Sequence, residues 1–344
     1  MTRSLVLSVV GARGWDRAAR LWDRGLLTVS VRRTVFGPTA VCLLALLGVV
    51  GCGSPDATPI ASVTPSPAYS VDCRAADAMI TASPSPGPVR YAAMVVDGKL
   101  RDYRIYRPPT LADTKPIPLV IALHGMPLDA AGFEDIIHFQ AEASAAGFLA
   151  VYPDGCNEDW DPSHGSYDVN FVSQMLDRLE SDFPIDQSRV YVTGASAGAF
   201  MAYRLACDLA NRIAAVASVT GSMWWDDCQP ARPISILEMH GTADEHAPYE
   251  GGRSTYHGLI QPPVTTVIQR WLTLDGCVSN PVMSQTGITK MSLWKNCSAG
   301  AVVRLDTIIG GHHTWFGSTF DPVPGEPDAN TAIWDFVKQF QLTS

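Results

Sequence analysis

Downstream of a Pro-rich N-terminal part, the chain alternates two hydrophobic patterns. Short apolar runs bounded by Gly, Pro or Asp take turns with stretches whose apolar residues recur every three or four positions. Arg101–Arg107 (RDYRIYR) alternates with period two, as a half-buried strand does. Ile117–Leu123, Phe148–Tyr152, Arg189–Thr193, Ile213–Val219 and Ile234–Met239 are almost continuously apolar, which predicts strands covered on both faces of a parallel sheet. Val302–Ile309 reads as a further strand. Between the runs, Val169, Val172, Leu176 and Leu179 share one helical face, and so do Met201, Leu205 and Leu209. Val264, Val267, Ile268 and Trp271 mark another helix, and Ile333, Phe336, Val337 and Phe340 a last one. Such alternation predicts an α/β fold: a mostly parallel, doubly wound sheet flanked by helices, in a single domain.

The N-terminal part does not follow this rhythm. After Arg32-Arg33 no charge appears until Asp56, and Val41–Val50 (VCLLALLGVV) is almost purely apolar. A basic flank before an apolar run too short to span a bilayer is the form of a signal peptide. The run ends in Val49-Val50-Gly51-Cys52, which resembles a bacterial lipobox whose cysteine, Cys52, accepts lipid. Residues 1–28 carry scattered charges that suit no signal peptide, so the true start is expected later, at Val29 or Val31. From Gly53 to Asp72 the chain is rich in Pro, Ser, Thr and Ala, and SPSPGP follows at Ser83–Pro88. These segments have too few large apolar groups to offset the entropy of ordering and are expected to form a flexible tether. The expected organisation is an extension and signal over 1–51, a tether over 52–89 and the folded domain over 90–344.

Composition narrows the function classes. With 344 residues, 47% of them hydrophobic and 17% charged, the chain can bury one large core. A net charge of −9 provides no footprint for nucleic acid. Eight cysteines suit an oxidising compartment better than a reducing one. They lack C-x-x-C spacing and companion histidines, so no zinc or other metal is expected. With Cys42 in the signal and Cys52 under lipid, Cys207 with Cys228 and Cys277 with Cys297 are candidate local bridges. Cys73 with Cys156 is the remainder, in one of several pairings that such a set allows.

The chemistry centres on Gly194-Ala195-Ser196-Ala197-Gly198. This G-x-S-x-G follows the RVYVT strand and opens a helix, the context in which a sharp turn lifts a nucleophilic serine above a sheet edge. Flanking glycines leave room for strained backbone and for close strand–helix packing. A serine hydroxyl needs a base, and the base an orienting acid. Two further strands end in polar loops downstream: ISILEM runs into His240-Gly241-Thr242-Ala243-Asp244, and VVRLDTII into Gly310-Gly311-His312-His313-Thr314-Trp315. Two adjacent histidines therefore compete for the role of base.

The chain resembles the polyhydroxybutyrate depolymerase and feruloyl esterase family of secreted serine esterases, including its bacterial lipoprotein members. The matching stretches are PLVIALHG (Pro118–Gly125), VYPDG (Val151–Gly155), RVYVTGASAGAFMAYRLAC (Arg189–Cys207), RIAAVASVTG (Arg212–Gly221), HGTADEHAPYEGG (His240–Gly252) and GGHHTW (Gly310–Trp315). The resemblance implies an α/β-hydrolase fold with Ser196 as nucleophile, Asp244 as acid and His313 as base. His312 stands where the family usually has glycine, and is a candidate substrate contact. Trp160, which follows VYPDG as a tryptophan does in the family, and Trp315 are candidate walls of an ester pocket. For Trp224 and Trp225, packing is the better expectation, and His124 reads as a structural loop histidine. Oxyanion-hole N–H groups are expected from Ala197, just after the nucleophile, and from Met126 in the loop after IPLVIAL.

The resulting expectation is an exported, lipid-anchored or secreted monomer that hydrolyses carboxylic esters through an acyl-enzyme without cofactor. Its only partners are ester substrate, small or polymeric, and the membrane reached through the lipid. The loop Gly221–Pro230 is too short for a lipase lid, which points to short-chain acyl, hydroxybutyrate or hydroxycinnamoyl esters. Rival readings are acyl transfer to a sugar or lipid alcohol, a non-catalytic surface lipoprotein, and a serine peptidase.

Overall fold

The computed structural model describes residues 89–112 and 115–343. The expected signal segment and most of the tether, with Cys52 and Cys73, lie outside the described residues. The central strands form where they are expected. They are β3 (Ile117–Leu123), β4 (Leu149–Pro153), β5 (Ile185–Ala195), β6 (Ala215–Val219), β7 (Ser235–Gly241) and β12 (Val303–Ile308). Every residue of β3, β4, β6 and β7 is buried, which is why the sequence there runs apolar without alternation. Side by side they run β4-β3-β5-β6-β7-β12, all parallel.

Antiparallel strands extend both flanks to ten in all. On one side lie β2 (Lys99–Tyr106), which contains the alternating RDYRIY, and β1 (Val89–Val96), paired by a tight hairpin. On the other lie β11 (Thr289–Trp294) and β10 (Val282–Thr286), while β8 (Gly252–Arg253) and β9 (Ile260–Gln261) form a separate antiparallel pair. The sequence patterns do not signal β1, β10 or β11. All five residues of β10 are exposed, so no core-facing periodicity marks it.

Helices cover both faces. On one face pack α3 (Tyr167–Asp182), α4 (Ala197–Asp208) and α5 (Val264–Leu274); on the other pack α1 (Ala130–Ile137), α2 (Gln140–Ala146) and α6 (Ala329–Val337). Ser166 caps α3 through its hydroxyl, and Val169, Val172, Leu176 and Leu179 go into the core as their spacing requires. Asp129 and Asp328 cap α1 and α6 in the same way. Each fully buried Leu or Val of these layers stabilises the fold by about 1.5–3 kcal/mol relative to exposure. Disulfides join Cys207 to Cys228 and Cys277 to Cys297, as the local pairing anticipates. Cys156 is also disulfide-bonded.

This is the architecture of an α/β-hydrolase, with loops at the C-terminal edge of a mostly parallel sheet. The elements that matter for chemistry, β3, β5, β7 and β12, all end on that edge.

Candidate active site

Ser196 sits between β5 and α4 with φ 52° and ψ −118°, a combination that L-residues avoid and that persists only where the surroundings impose it. They do so by backbone contact. A Cβ on Gly194 would lie 2.4 Å from the Gly198 carbonyl oxygen, and one on Gly198 would lie 2.2 Å from that of Leu123. Helix α4 can therefore press onto β3 and β5 only with glycine at both positions. Ala197 is the first residue of α4, so its N–H has no carbonyl a turn earlier to bond. The Ser196 N–H donates to the Val219 carbonyl, pinning the turn to the end of β6.

The loop after β3 lies beside it. A Cβ on Gly125 would be 3.2 Å from the Ser196 Cβ, so Met126 follows directly on the residue that touches the nucleophile turn. His124 is fully buried and accepts the Gly155 N–H at Nε2, 2.8 Å away. Burial above all pushes its pKa down to about 4, so it is a neutral structural group with its proton on Nδ1.

The acid and the histidine come from the ends of β7 and β12. There the two loops meet backbone to backbone: a Cβ on Gly241 would lie 2.1 Å from the Gly311 carbonyl oxygen. The Ala243 N–H donates to that oxygen, and the Gly310 N–H to the Thr242 hydroxyl. This clamp brings Asp244 Oδ2 to 2.8 Å from His313 Nδ1. Asp244 Oδ1 accepts the N–H groups of His246 and Ala247, at 2.9 and 2.7 Å. Burial opposes its charge, but hydrogen bonds with His240 and His313 outweigh that and hold the carboxyl well below the ordinary range. Asp244 is thus a fixed carboxylate. With Nδ1 donating to it, the His313 imidazole presents Nε2 as its acceptor.

Ser196 and His313 line one cavity of about 310 Å³. Met126, Leu128, Phe133, Phe200, Trp315 and Phe320 supply its apolar walls. Trp315 lies edge-on to Phe133, with its Nε1 donating to Asn330.

Two expectations need correction. Trp160 is wholly buried and does not line the cavity. Its Nε1 donates to the His124 carbonyl at 2.9 Å, so the ring braces the loop after β3 instead of meeting substrate. His312 also stays outside the cavity. It is half-exposed, and its Nδ1 lies 3.0 Å from Asp321 Oδ2, which draws the ring away from the cavity lining. Trp224 and Trp225 pack on each other and the core, as expected.

The motifs did not single out several groups at the site. His246 lines the cavity, its ring 5.1 Å from that of His313, and its Nδ1 meets the Thr255 hydroxyl. Glu238 and Tyr203 are buried behind Asp244. A glutamate inside the apolar run ISILEM was the available signal, since a fully buried carboxylate requires partners.

Residues 101–241 match the model of the esterase PHB depolymerase family. The bifunctional acetylxylan esterase/xylanase XynS20E of Neocallimastix patriciarum is 30% identical over 71% of this chain and 34% of that protein. Feruloyl esterase B of Piromyces equi is 29% identical over 66% of this chain and 43% of that protein. The chain thus spans well under half the length of these two relatives. Among solved structures, an acetyl xylan esterase from Aspergillus awamori superposes with a TM-score of 0.54, at 17% identity, over 73% of this chain and 99% of that one. That likeness speaks for the fold alone. Residues 101–241, the stretch that carries the Ser196 turn and the loop beside it, are thus similar to the esterase PHB depolymerase family.

Proposed function

We propose that the protein is a serine carboxylic ester hydrolase. The observation that carries this is the clamp between the β7 and β12 loops. It hydrogen-bonds His313 to a fixed Asp244 carboxylate at the rim of the cavity that also holds Ser196. In this reading the Ser196 Oγ attacks the ester carbonyl while His313 Nε2 takes its proton. The N–H groups of Ala197 and Met126 receive the developing oxyanion. The proton then goes to the departing alcohol, and water repeats the sequence on the acyl-enzyme. Asp244 keeps the imidazole in the tautomer that leaves Nε2 free.

The cavity lies at the small end of the range for ligand pockets, roughly 300–1,000 Å³. Its walls suit a short acyl chain or one aromatic ring, and the related proteins act, by name, on acetylxylan and feruloyl esters. Short-chain acyl, hydroxybutyrate and hydroxycinnamoyl esters are therefore the proposed substrates. Purified protein is expected to hydrolyse p-nitrophenyl acetate and butyrate and methyl ferulate, with palmitate esters at least about tenfold slower in kcat/KM. A rate that climbs steadily from acetate to palmitate would instead indicate a lipase.

The protein is exported, in keeping with its disulfides. We further propose that Cys52 carries lipid and that the tether over residues 52–89 links the enzyme to the membrane, raising its local concentration at a surface. Metabolic labelling with an alkyne fatty acid is expected to mark the wild type and not Cys52→Ala. Equal labelling of both would sink the anchor.

A further inference from the structure

Behind Asp244 lies a line of buried polar groups that the proposed reaction does not itself use. His240, the last but one residue of β7, is 1% exposed. Its Nδ1 is 2.7 Å from Glu238 Oε1, and its Nε2 is 2.8 Å from the Ala247 carbonyl oxygen and 3.4 Å from Asp244 Oδ2. Glu238 Oε1 also accepts the Gly221 N–H at 3.0 Å, and Oε2 accepts the Tyr203 hydroxyl at 2.6 Å.

Hydrogen-bond partners bear on the protonation. A carbonyl oxygen only accepts, so His240 Nε2 carries a proton. Glu238 Oε1 accepts the Gly221 N–H and Oε2 the Tyr203 hydroxyl, a set of donors that favours the ionised carboxyl, to which His240 Nδ1 then donates. Both ring nitrogens therefore carry protons, and His240 is a cation between two carboxylates. Burial works against that charge, but the hydrogen bonds with Asp244 and Glu238 outweigh it and push its pKa up to about 10. The charged groups facing the ring are Glu238 and Asp244. The titratable ones are Tyr203, reached through Glu238, and Tyr249, whose ring stands edge-on at 5.8 Å. The flanking strands add only hydroxyls, Ser218 beside Glu238 on β6 and Thr307 opposite His240 on β12.

We infer that His240, held as an imidazolium by Glu238, is a positioning residue that orients Asp244 and shares its negative charge with His313. The inference rests on the esterase reading above. It has two consequences. Asp244 Oδ2 meets two imidazoles, His313 Nδ1 at 2.8 Å and His240 Nε2 at 3.4 Å, so its place does not depend on His313 alone. Without that positive charge, Asp244 would face His313 with its negative charge undivided, a change that the pH profile of a His240 variant reads.

The test uses His240→Gln, with Tyr203→Phe as a structural control that removes only the outer donor to Glu238. With p-nitrophenyl acetate, His240→Gln is expected to lower kcat by about tenfold or more with little change in KM. Its acidic limb of kcat/KM should move to higher pH by roughly half a unit or more. Tyr203→Phe should lower the melting temperature and leave the limb in place. A limb unmoved in His240→Gln, or moved equally in Tyr203→Phe, overturns the inference. A measurement on the unmutated protein stands even if His240→Gln fails to fold. Nitrogen-15 resonances of the buried histidine should show both ring nitrogens protonated at pH 8, and a neutral ring there also overturns the inference. Should the wild type neither hydrolyse esters nor react with a fluorophosphonate, the esterase reading falls, and the nitrogen spectrum still reports on His240 separately.

Discussion

Ser196→Ala and His313→Ala are each expected to lower kcat on p-nitrophenyl acetate by about 10⁴-fold or more, leaving the fold intact. Ser196→Ala removes one oxygen and keeps the backbone conformation that the glycines impose. His313→Ala removes a partly exposed ring whose partner stays satisfied, because Asp244 retains two backbone N–H bonds and its contact with His240. Neither change opens a large void in the core, so circular dichroism should match the wild type. On the proposed reading, in which nucleophile and base act as a unit, a double variant should be hardly worse than either single one. His312→Gly provides the contrast. It breaks only an exposed pair with Asp321, a contact contributing about 0–1 kcal/mol, and should leave kcat within a few-fold of wild type. A His312 variant as inactive as His313→Ala would show that the base has been misassigned.

Trp160→Ala is expected to cost about 3–5 kcal/mol, the cavity and transfer cost of deleting a buried tryptophan. The His124 carbonyl would lose its indole donor in the same step, which adds to the loss. Thermal unfolding should fall by roughly 10 °C or more. The ring packs on His124 with centroids 4.9 Å apart and does not reach the cavity, so KM for molecules still folded should stay near wild type. An unchanged melting temperature with a raised KM would restore Trp160 to the substrate pocket.

Much of the sheet was legible from local pattern because its central strands are buried on both faces, which demands continuous apolar runs such as IPLVIAL and FLAVY. The nucleophile turn was legible for a different reason. Its strain and close packing admit few residue types, so Gly194, Ser196 and Gly198 stand out. The edge strands β1, β10 and β11 were not legible, because a strand that meets water needs no such pattern. Cys207 with Cys228 and Cys277 with Cys297 were readable as pairs since each joins neighbouring elements. The fate of Trp160 was not, because a tryptophan near a motif has the same one-letter appearance whether it faces the cavity or the core.

The sequence by itself determined the α/β class, the strand–serine–helix turn and the loops that end in Asp244 and in His312-His313, since each depends on local spacing and backbone sterics. Local spacing left two adjacent histidines and the resemblance pointed to His313; the contact of His313 Nδ1 with Asp244 Oδ2 at 2.8 Å belongs to the tertiary structure. It depends in turn on the contact of Gly241 with Gly311, made by strands distant along the chain. The same holds for Glu238, His240 and Tyr203. Their hydrogen-bond partners lie on β7, on α4, in the loop after β6 and in the Asp244 loop, which assemble only when the sheet and its helices close around them.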